Sequence, residues 1–592
     1  MRSSVDSLPM KIIADDRPNP SQKPPKRRKK LATDLESPIF SLPALAVIVV
    51  GVFVPMAVLI VYSLWPTVDQ EVVREWTFTN YLRFFESKVY WGTLLRSLLF
   101  ASLASALTVI LTFPFAYFVA LKVQPERRLI WVLIAVVPFF TSYLIRVFAW
   151  MTLLGDTGLL NQGLMYVGLI ESPLWLLGLN SSGIVLTFVY LLFPLAFLTA
   201  FIALERTNPT ILEAAADLGA RPWQGLIYVT LPVARTGIMG GFVFSTITIL
   251  GDYVTPQLIG GTDGYLYSNI IQRQFGSSVQ WGFGSALALI LLVIVFVLLL
   301  VLRQVTGGAA QVGTFSRQFN PSSSPVLKAY AIAFLAFLYT PIGLLLVLAL
   351  NDNTSIGFPF NGVTLRWFAA ILSDPLLLES LRNSLIVAFA SVSISVVLGT
   401  VAAVQLARSY GQWRQASLAI ISVPLFLPPM LLGLAIIIGL NALGIERGLW
   451  TIITGHTILW LPVVTLLVLI RLEGLDPNLE LAAMDLGAPP VTALARVSVP
   501  QALPGIVAAA LISFALSMDE FILTALVTGA DSTLPLYIFG QLRFNVTPAV
   551  VALSVTLLLV SFALLVMGAL LATRGKGGPP VPAPNAIQNV SQ

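Results

Sequence analysis

The chain has 592 residues, of which 57% are hydrophobic and 10% are charged, and its mean hydropathy is +0.88. Soluble chains carry about 25% charged residues, so this composition excludes a soluble enzyme and predicts about a dozen membrane helices of roughly 20 residues each. The chain has no cysteine and one histidine, His456, which excludes disulfides and argues against metal or redox catalysis. The net charge of +6 arises from a tail and short loops, which indicates topology signals rather than nucleic-acid binding.

Residues 1–37 are polar and rich in proline and lysine, and no apolar core of a signal peptide precedes their bases. They are predicted to form a disordered basic cytoplasmic tail, with binding of lipid head groups as the alternative. Twelve apolar runs follow, and each is predicted to be one membrane helix. They lie at 40–64, 94–121, 130–154, 182–204, 236–258, 284–302, 326–350, 380–407, 416–443, 450–470, 502–528 and 548–572.

Prolines at constant spacing indicate that the chain is an internal repeat. Pro55 and Pro341 lie 286 residues apart (341 − 55), and Pro232 and Pro500 lie 268 apart (500 − 232). The change of spacing places 18 extra residues (286 − 268) in the first half, near Leu159–Gly178. We therefore predict two parallel six-helix repeats that share one orientation.

The predicted domain plan has five parts. A first six-helix half at 38–304 and a second at 326–573 are joined by a cytoplasmic linker at 305–325, and tails at 1–37 and 574–592 flank them. Lysine and arginine recur in the loops on one side, whereas the loop at 155–181 has none. The positive-inside rule therefore predicts that both termini are cytoplasmic and that the extra segment faces outside.

The loop between the fourth and fifth runs of each half carries the same short pattern, at 205–235 and at 471–501. A proline, then alanines, leucines and acids, and then a closing glycine predict a short cytoplasmic helix. One copy alone would be an ordinary surface helix, but two copies in register favour a docking role. The candidate coupling residues are Glu213, Ala214, Ala215, Asp217, Gly219, Pro232, Ala482, Ala483, Asp485, Gly487 and Pro500.

This pattern resembles the EAA loop of binding-protein-dependent ABC importers, in which Glu-Ala-Ala precedes a glycine and a downstream Leu-Pro pair. The first copy, from Glu213 to Pro232, fits it fully. The second copy departs from it, because Leu481 stands in place of the glutamate, with Glu480 one position earlier, and Val499 replaces the leucine. We therefore expect the second docking helix to bind its partner differently.

The resemblance implies the type I importer permease fold, an all-α polytopic protein of a bacterial inner membrane, surrounded by lipid. In that family the loop helix sits in a groove of a cytoplasmic ATPase and passes its closure to the spans. It implies two copies of such an ATPase, which bind ATP and Mg, and an external solute-binding protein. The chain itself has no Gly-x-x-x-x-Gly-Lys-Ser/Thr phosphate loop, so we expect no catalytic residue, cofactor or metal in it and no nucleic-acid partner.

Charged residues inside the apolar runs are the candidates for the substrate path, because each costs about 2.5 to 3.5 kcal/mol at mid-helix. Asp519 and Glu520 lie in the eleventh run, near the predicted midplane, and Asp252 lies 268 positions before Glu520 (520 − 252). Internal pairing with Arg146, or hydrogen bonding near a broken helix, is the alternative for each acid. An acidic path favours a cationic substrate. Aromatic residues such as Trp150 and Tyr253 offer cation-π faces, although core packing is the more common use of such residues.

Two segments point to a subfamily. The segment from Pro138 to Arg146 resembles the first permease subunit of spermidine/putrescine importers, and the segment from Leu516 to Glu520 resembles the second. The chain therefore looks like both permeases fused, with a polyamine as the implied solute. Iron, phosphonates, opines and amino-acid-like solutes are the alternatives within the ABC class, and a major-facilitator secondary transporter is the alternative outside it.

Overall fold

The computed structural model describes residues 38–205, 209–261, 263–306, 324–354, 360–544 and 547–574. These residues are almost entirely helical, and one short ribbon pairs β1 (Thr67–Val68) with β2 (Glu71–Val72) in antiparallel register. The predicted all-α class is confirmed. The predicted tails and most of the predicted linker lie outside the described residues.

Fourteen helices belong to the first half. They are α1 (Leu42–Ile48), α2 (Val54–Ser63), α3 (Thr79–Glu86), α4 (Lys88–Leu121), α5 (Pro125–Val136), α6 (Tyr143–Leu153), α7 (Leu159–Tyr166), α8 (Ser181–Glu205), α9 (Pro209–Asp217), α10 (Pro222–Gly225), α11 (Leu231–Gly251), α12 (Val254–Ile259), α13 (Tyr267–Phe275) and α14 (Trp281–Thr306). A π-helical turn, Val49–Phe53, joins α1 to α2, and another, Leu226–Thr230, joins α10 to α11.

Twelve helices of the second half follow. They are α15 (Pro325–Leu350), α16 (Arg366–Ile371), α17 (Pro375–Arg408), α18 (Gly411–Phe426), α19 (Pro429–Ala442), α20 (Leu449–Glu473), α21 (Pro477–Asp485), α22 (Pro490–Ala493), α23 (Val499–Asp519), α24 (Ile522–Val527), α25 (Leu534–Phe544) and α26 (Pro548–Arg574). A π-helical turn, Leu494–Ser498, joins α22 to α23.

The two halves repeat the same elements. Helices α4 and α17 both have 34 residues, and α8 and α20 both have 25. The segments from α8 to α12 recur as α20 to α24 at one constant spacing of 268 (449 − 181). In each half a serine of the long helix, Ser97 or Ser384, accepts a hydrogen bond from a backbone N–H at the start of α13 or α25. The predicted repeat therefore extends to single hydrogen bonds.

The first span of each half packs on the other half. Phe334 of α15 lies 4.9 Å from Phe193 of α8 and 6.2 Å from Phe115 of α4, measured between ring centroids. In the opposite direction, a Cβ added to Gly51 would lie 2.4 Å from the side chain of Ile458 in α20. Because each half contributes a span to the core of the other, the two halves form one interlocked unit.

The spans differ in one respect from the expected straight helices. In the described residues, nine helices are long and apolar enough to cross a membrane. Two further pairs are bent, α5 with α6 by 80° and α18 with α19 by 98°, and α26 is the twelfth apolar element. The expectation of continuous third and ninth spans is wrong. A proline at each bend, Pro138 and Pro428, restricts the chain, and extended residues, Thr141 and Leu427, interrupt the helix.

The fifth and eleventh runs are also interrupted. Helix α11 ends at Gly251 and α23 ends at Asp519, and the short helices α12 and α24 follow after two residues. Asp252 and Glu520 therefore lie at breaks in these spans, which agrees with the alternative of hydrogen bonding near a broken helix. The extra segment of the first half, which is predicted to be external, contains α7 and a short 3-10 turn, Trp175–Leu177.

Candidate translocation site and docking helices

Two acids cap the short helices that follow the breaks. A helix start leaves backbone N–H groups without partners, and Asp252 accepts two of them in α12, from Val254 at 2.8 Å and Thr255 at 3.1 Å. Glu520 does the same in α24, where Leu523 and Thr524 donate their backbone N–H groups at 3.0 Å each. Since the two acids occupy equivalent positions, both halves use a buried carboxylate to hold the broken span.

Asp519 has a different environment. It is the last residue of α23, and its Oδ1 accepts a hydrogen bond of 2.7 Å from the backbone N–H of Tyr143 in the first half. Its Oδ2 lies 3.9 Å from Arg146 Nη2, and 26% of its side chain is exposed, against 7% for Glu520. Of the three acids proposed for the path, Asp519 is the one with a substantial part of its carboxylate side chain accessible.

Tyr143 connects the acids of the two halves. Its backbone N–H binds Asp519, and its hydroxyl donates to Asp252 Oδ2 at 2.6 Å. It begins α6, the helix that follows the bend in the third span. The sequence reasoning missed Tyr143. The available signal was its position three residues before Arg146, which places both on one face of a helix.

Arg146 is a buried cation whose hydrogen-bond donors are not all satisfied. Besides its contact with Asp519, its guanidinium lies 5.2 Å from the ring centroid of Phe139. Its Nε has no hydrogen-bond partner among the described residues. Trp150 and Tyr253, the aromatic residues proposed for the path, are both buried. Trp150 packs edge-on against Tyr190 at 5.6 Å, and Tyr253 lies 6.5 Å from Phe521.

His456 is a second residue whose role the sequence reasoning missed. This buried imidazole of α20 lies 2.7 Å from the Ser517 hydroxyl and 2.8 Å from the Thr524 hydroxyl. Those two partners stand on opposite sides of the break between α23 and α24. His456 therefore holds the two pieces of the eleventh span together. The signal was an ionisable residue within an apolar run.

The predicted cytoplasmic helices are α9 and α21. Each ends in the same hydrogen-bond pattern, in which Gly219 and Ala220, or Gly487 and Ala488, donate to carbonyls three and five residues back. This pattern requires a left-handed residue, and the φ angles are +84° at Gly219 and +92° at Gly487. The two glycines of the motif are thus explained by backbone geometry.

Both helices present an exposed leucine beside that glycine. Leu218 is 89% exposed and Leu486 is 90% exposed. Of the candidate coupling residues, Ala214, Asp217, Pro232, Ala482, Asp485 and Pro500 are exposed, and Ala215 and Ala483 are half-buried. The side chain of Glu213 lies outside the described residues. Each loop therefore offers a small apolar surface to a partner.

The chain belongs to the family described as binding-protein-dependent transport system inner membrane component, which matches residues 114–305 and 395–576. It is 31% identical over 255 residues to the spermidine/putrescine transport system permease protein PotB of Escherichia coli (strain K12), covering 43% of this chain and 92% of the relative. It is also 31% identical over 253 residues to the permease protein PotC of Shigella flexneri, covering 42% of this chain and 96% of the relative.

Among solved structures, a chain of the bacterial alginate ABC transporter in complex with alginate pentasaccharide-bound periplasmic protein aligns at 18% identity and a TM-score of 0.40. That alignment covers 49% of this chain and 98% of the other. The two family matches confirm a fused permease with two repeats. The chain is a multi-pass transport component of an inner membrane rather than an enzyme, and the major-facilitator alternative is wrong.

Proposed function

We propose that this chain forms the translocation path of an ATP-driven importer for a small cation, most specifically a polyamine such as spermidine or putrescine. An external solute-binding protein delivers the solute. The observation that carries the proposal is the partly exposed carboxylate of Asp519 at the contact between the two halves. The similarity to two spermidine/putrescine permeases supports the same solute class.

Asp519 suits a cation for electrostatic reasons. A solute that enters the path loses water, and a carboxylate in an environment of low effective dielectric replaces part of that hydration. Asp252 and Glu520 hold backbone N–H groups, so they support the site without meeting the solute. Arg146 is the counter-ion of Asp519 when no solute is present, and an ammonium group takes its place on arrival.

The docking helices couple transport to ATP hydrolysis. We propose that α9 and α21 each enter a groove of one cytoplasmic ATPase subunit, with Leu218 and Leu486 as their apolar contacts. Two such subunits bind ATP and Mg, so the chain needs no cofactor of its own. The positive-inside rule supports a cytoplasmic location for these helices and for both termini.

A second solute class is favoured by Arg146. A buried guanidinium with an unpartnered Nε suits a carboxylate, and an opine or an amino-acid-like solute carries both an ammonium and a carboxylate. Such a solute would contact Asp519 and Arg146 together. The guanidinium would also suit a phosphonate, but a phosphonate without an ammonium group would leave the Asp519 carboxylate unmatched. For iron, the described residues contain no group of three or more acidic, histidine or cysteine side chains that could hold a metal ion.

The test is uptake by the assembled complex. We expect proteoliposomes with this chain, its ATPase and its binding protein to accumulate labelled spermidine or putrescine only with internal ATP. Unlabelled octopine serves as the competitor that carries a carboxylate. Competition by octopine alone would favour the second solute class, and transport in the absence of ATPase would refute the importer.

A further inference from the structure

One acid ties the second docking helix to the membrane spans. Glu480 of α21 accepts hydrogen bonds from Arg408, from Nε to Oε1 at 3.3 Å and from Nη2 to Oε2 at 2.5 Å. The hydroxyl of Ser498 donates to the same carboxylate. Arg408 also donates to the carbonyl of Val404 at 2.9 Å. The carboxylate is therefore held from two sides.

These contacts join three elements at one point. Arg408 is the last residue of α17, a 34-residue span. Ser498 ends the π-helical turn from which α23 begins, and α23 runs on to Asp519. A displacement of α21 is thus applied directly to two spans, and one of them carries the acid proposed to meet the solute.

The sequence of the first half differs at the corresponding positions. The residue equivalent to Glu480 is Leu212 (480 − 268), which has no acid group, and at the spacing of 286 Lys122 corresponds to Arg408 (408 − 286). Thr230 stands in the place of Ser498 (498 − 268), and it donates within its own turn, to the carbonyl of Gly225 at 3.3 Å. The departure of the second motif, an acid one position earlier than Glu213 would predict, therefore supplies the contact with Arg408.

We propose that Glu480 is a positioning residue that passes movement of the second docking helix to α17 and α23 through its pair with Arg408. This inference rests on the proposed docking to an ATPase. The side chains of Arg408 and Glu480 are 20% and 15% exposed, and a bidentate pair that is largely shielded from water is stronger and more rigid than a surface pair. A rigid contact transmits a displacement that a flexible loop would absorb.

A matched control lies at the same edge of the protein. Arg414 of α18 pairs with Glu473 at the end of α20, with side chains that are 32% and 45% exposed. This second pair has the same charges and joins two helices, but it does not touch a docking helix in the described residues. Glu473→Gln therefore controls for the loss of an ion pair as such.

The experiment measures solute imported per ATP hydrolysed by the complex in proteoliposomes, with assembled complex quantified. We expect Glu480→Gln and Arg408→Gln to lower this ratio roughly two- to thirty-fold, the range found for residues that couple distant sites. The reversed pair, Arg408→Glu with Glu480→Arg, should recover part of the loss, and Glu473→Gln should leave the ratio unchanged.

Three other outcomes would each contradict a specific part of this proposal. If Glu480→Gln imports as much solute per ATP as the wild type, Glu480 does not transmit movement of the second docking helix. That result would not contradict the proposed importer function. Loss of assembled complex that the reversed pair does not restore would make Glu480 a folding residue and refute its role in transmission. If the wild-type complex neither hydrolyses ATP nor imports solute, the proposed function itself fails.

Discussion

The two halves share a backbone plan but differ in the side chains at equivalent positions. Helix α6 begins with Tyr143 and carries Arg146, whereas α19 begins with Pro429. Conversely, the second half has His456 where the first half has Phe188 (456 − 268), and Glu480 where the first half has Leu212.

The difference indicates a division of roles after duplication. The first half contributes the groups that reach Asp519 across the contact between halves. The second half contributes polar side chains that fasten its own broken span and docking helix. The capping acids, Asp252 and Glu520, have the same function in both halves. A fused chain can hold two such unlike halves in a fixed ratio, because both are made in every copy.

The largest expected effect comes from removing the capping acids, which both halves share. Asp252→Ala and Glu520→Ala each leave two buried N–H groups without acceptors, and each should lower the free energy of unfolding by about 3 kcal/mol. Asp252→Ala should be the more severe because it also removes one of the hydrogen-bond partners of the Tyr143 hydroxyl. The melting temperature of the purified chain measures the change. Equal stability in either alanine variant and the wild type would contradict the capping role.

The docking helices test whether the halves contribute equally to coupling. Gly219→Val and Gly487→Val place a β-branched residue at φ angles of +84° and +92°, at a cost of at least about 1 to 2 kcal/mol in the local backbone. We expect both to reduce the stimulation of ATPase activity by loaded binding protein. The Gly219 change should be the more damaging, because α21 is also held by the ion pair between Glu480 and Arg408. Unchanged stimulation in both variants would contradict the docking role.

A substitution that gives the second half the residue of the first half tests whether His456 stabilises the broken eleventh span. His456→Phe installs the residue of the first half and leaves the Ser517 hydroxyl without its imidazole partner. The expected loss is about 1 to 3 kcal/mol in the free energy of unfolding. The control is Phe188→Leu, an apolar replacement at the equivalent position that introduces no buried polar group. Chemical denaturation followed by tryptophan fluorescence compares the two, and equal stability of His456→Phe and the wild type would contradict the fastening role.

The smallest expected effect is a pH dependence in the second half. Asp374 caps α17 by accepting from the backbone N–H groups of Leu376 and Leu377, and it accepts from the Tyr537 hydroxyl at 2.6 Å. The Tyr537 hydrogen bond lowers the pKa of Asp374 below its ordinary value. Because the folded pKa is depressed, this contribution is present above the unfolded pKa of about 3.9 and is lost as the pH falls through the folded value.

We expect Tyr537→Phe to cost about 1 kcal/mol at neutral pH and to reduce the loss of stability below about pH 4. Thermal melting across that pH range measures both. At the equivalent position the first half has Ser87, which makes no side-chain cap, so Ser87→Ala serves as the control. If Tyr537→Phe lost stability below about pH 4 as steeply as the wild type, the contribution assigned to the Tyr537–Asp374 hydrogen bond would be contradicted.

Much of the scaffold could be predicted from the sequence because repeats and apolar runs are local signals. The prolines located the duplication, and alanines and glycines located α9 and α21. The breaks at Asp252 and Glu520 were one of two alternatives for these acids, and the sequence could not decide between them because the apolar runs continue through both positions. The contact between Tyr143 and Asp519 joins residues 376 positions apart. Apolar periodicity carries no information about such a polar pair, so only the folded arrangement of the two halves reveals it.

The most direct test of the central claim is the uptake of labelled spermidine by complexes that contain Asp519→Asn, normalised to assembled complex. The variant keeps an acceptor for the Tyr143 N–H and removes the charge. We expect uptake to fall at least about tenfold, because the desolvated ammonium loses the most exposed of the three carboxylates, Asp519, whereas Asp252 and Glu520 are buried. Uptake at the wild-type rate would contradict the claim that this contact between the halves is the cation path.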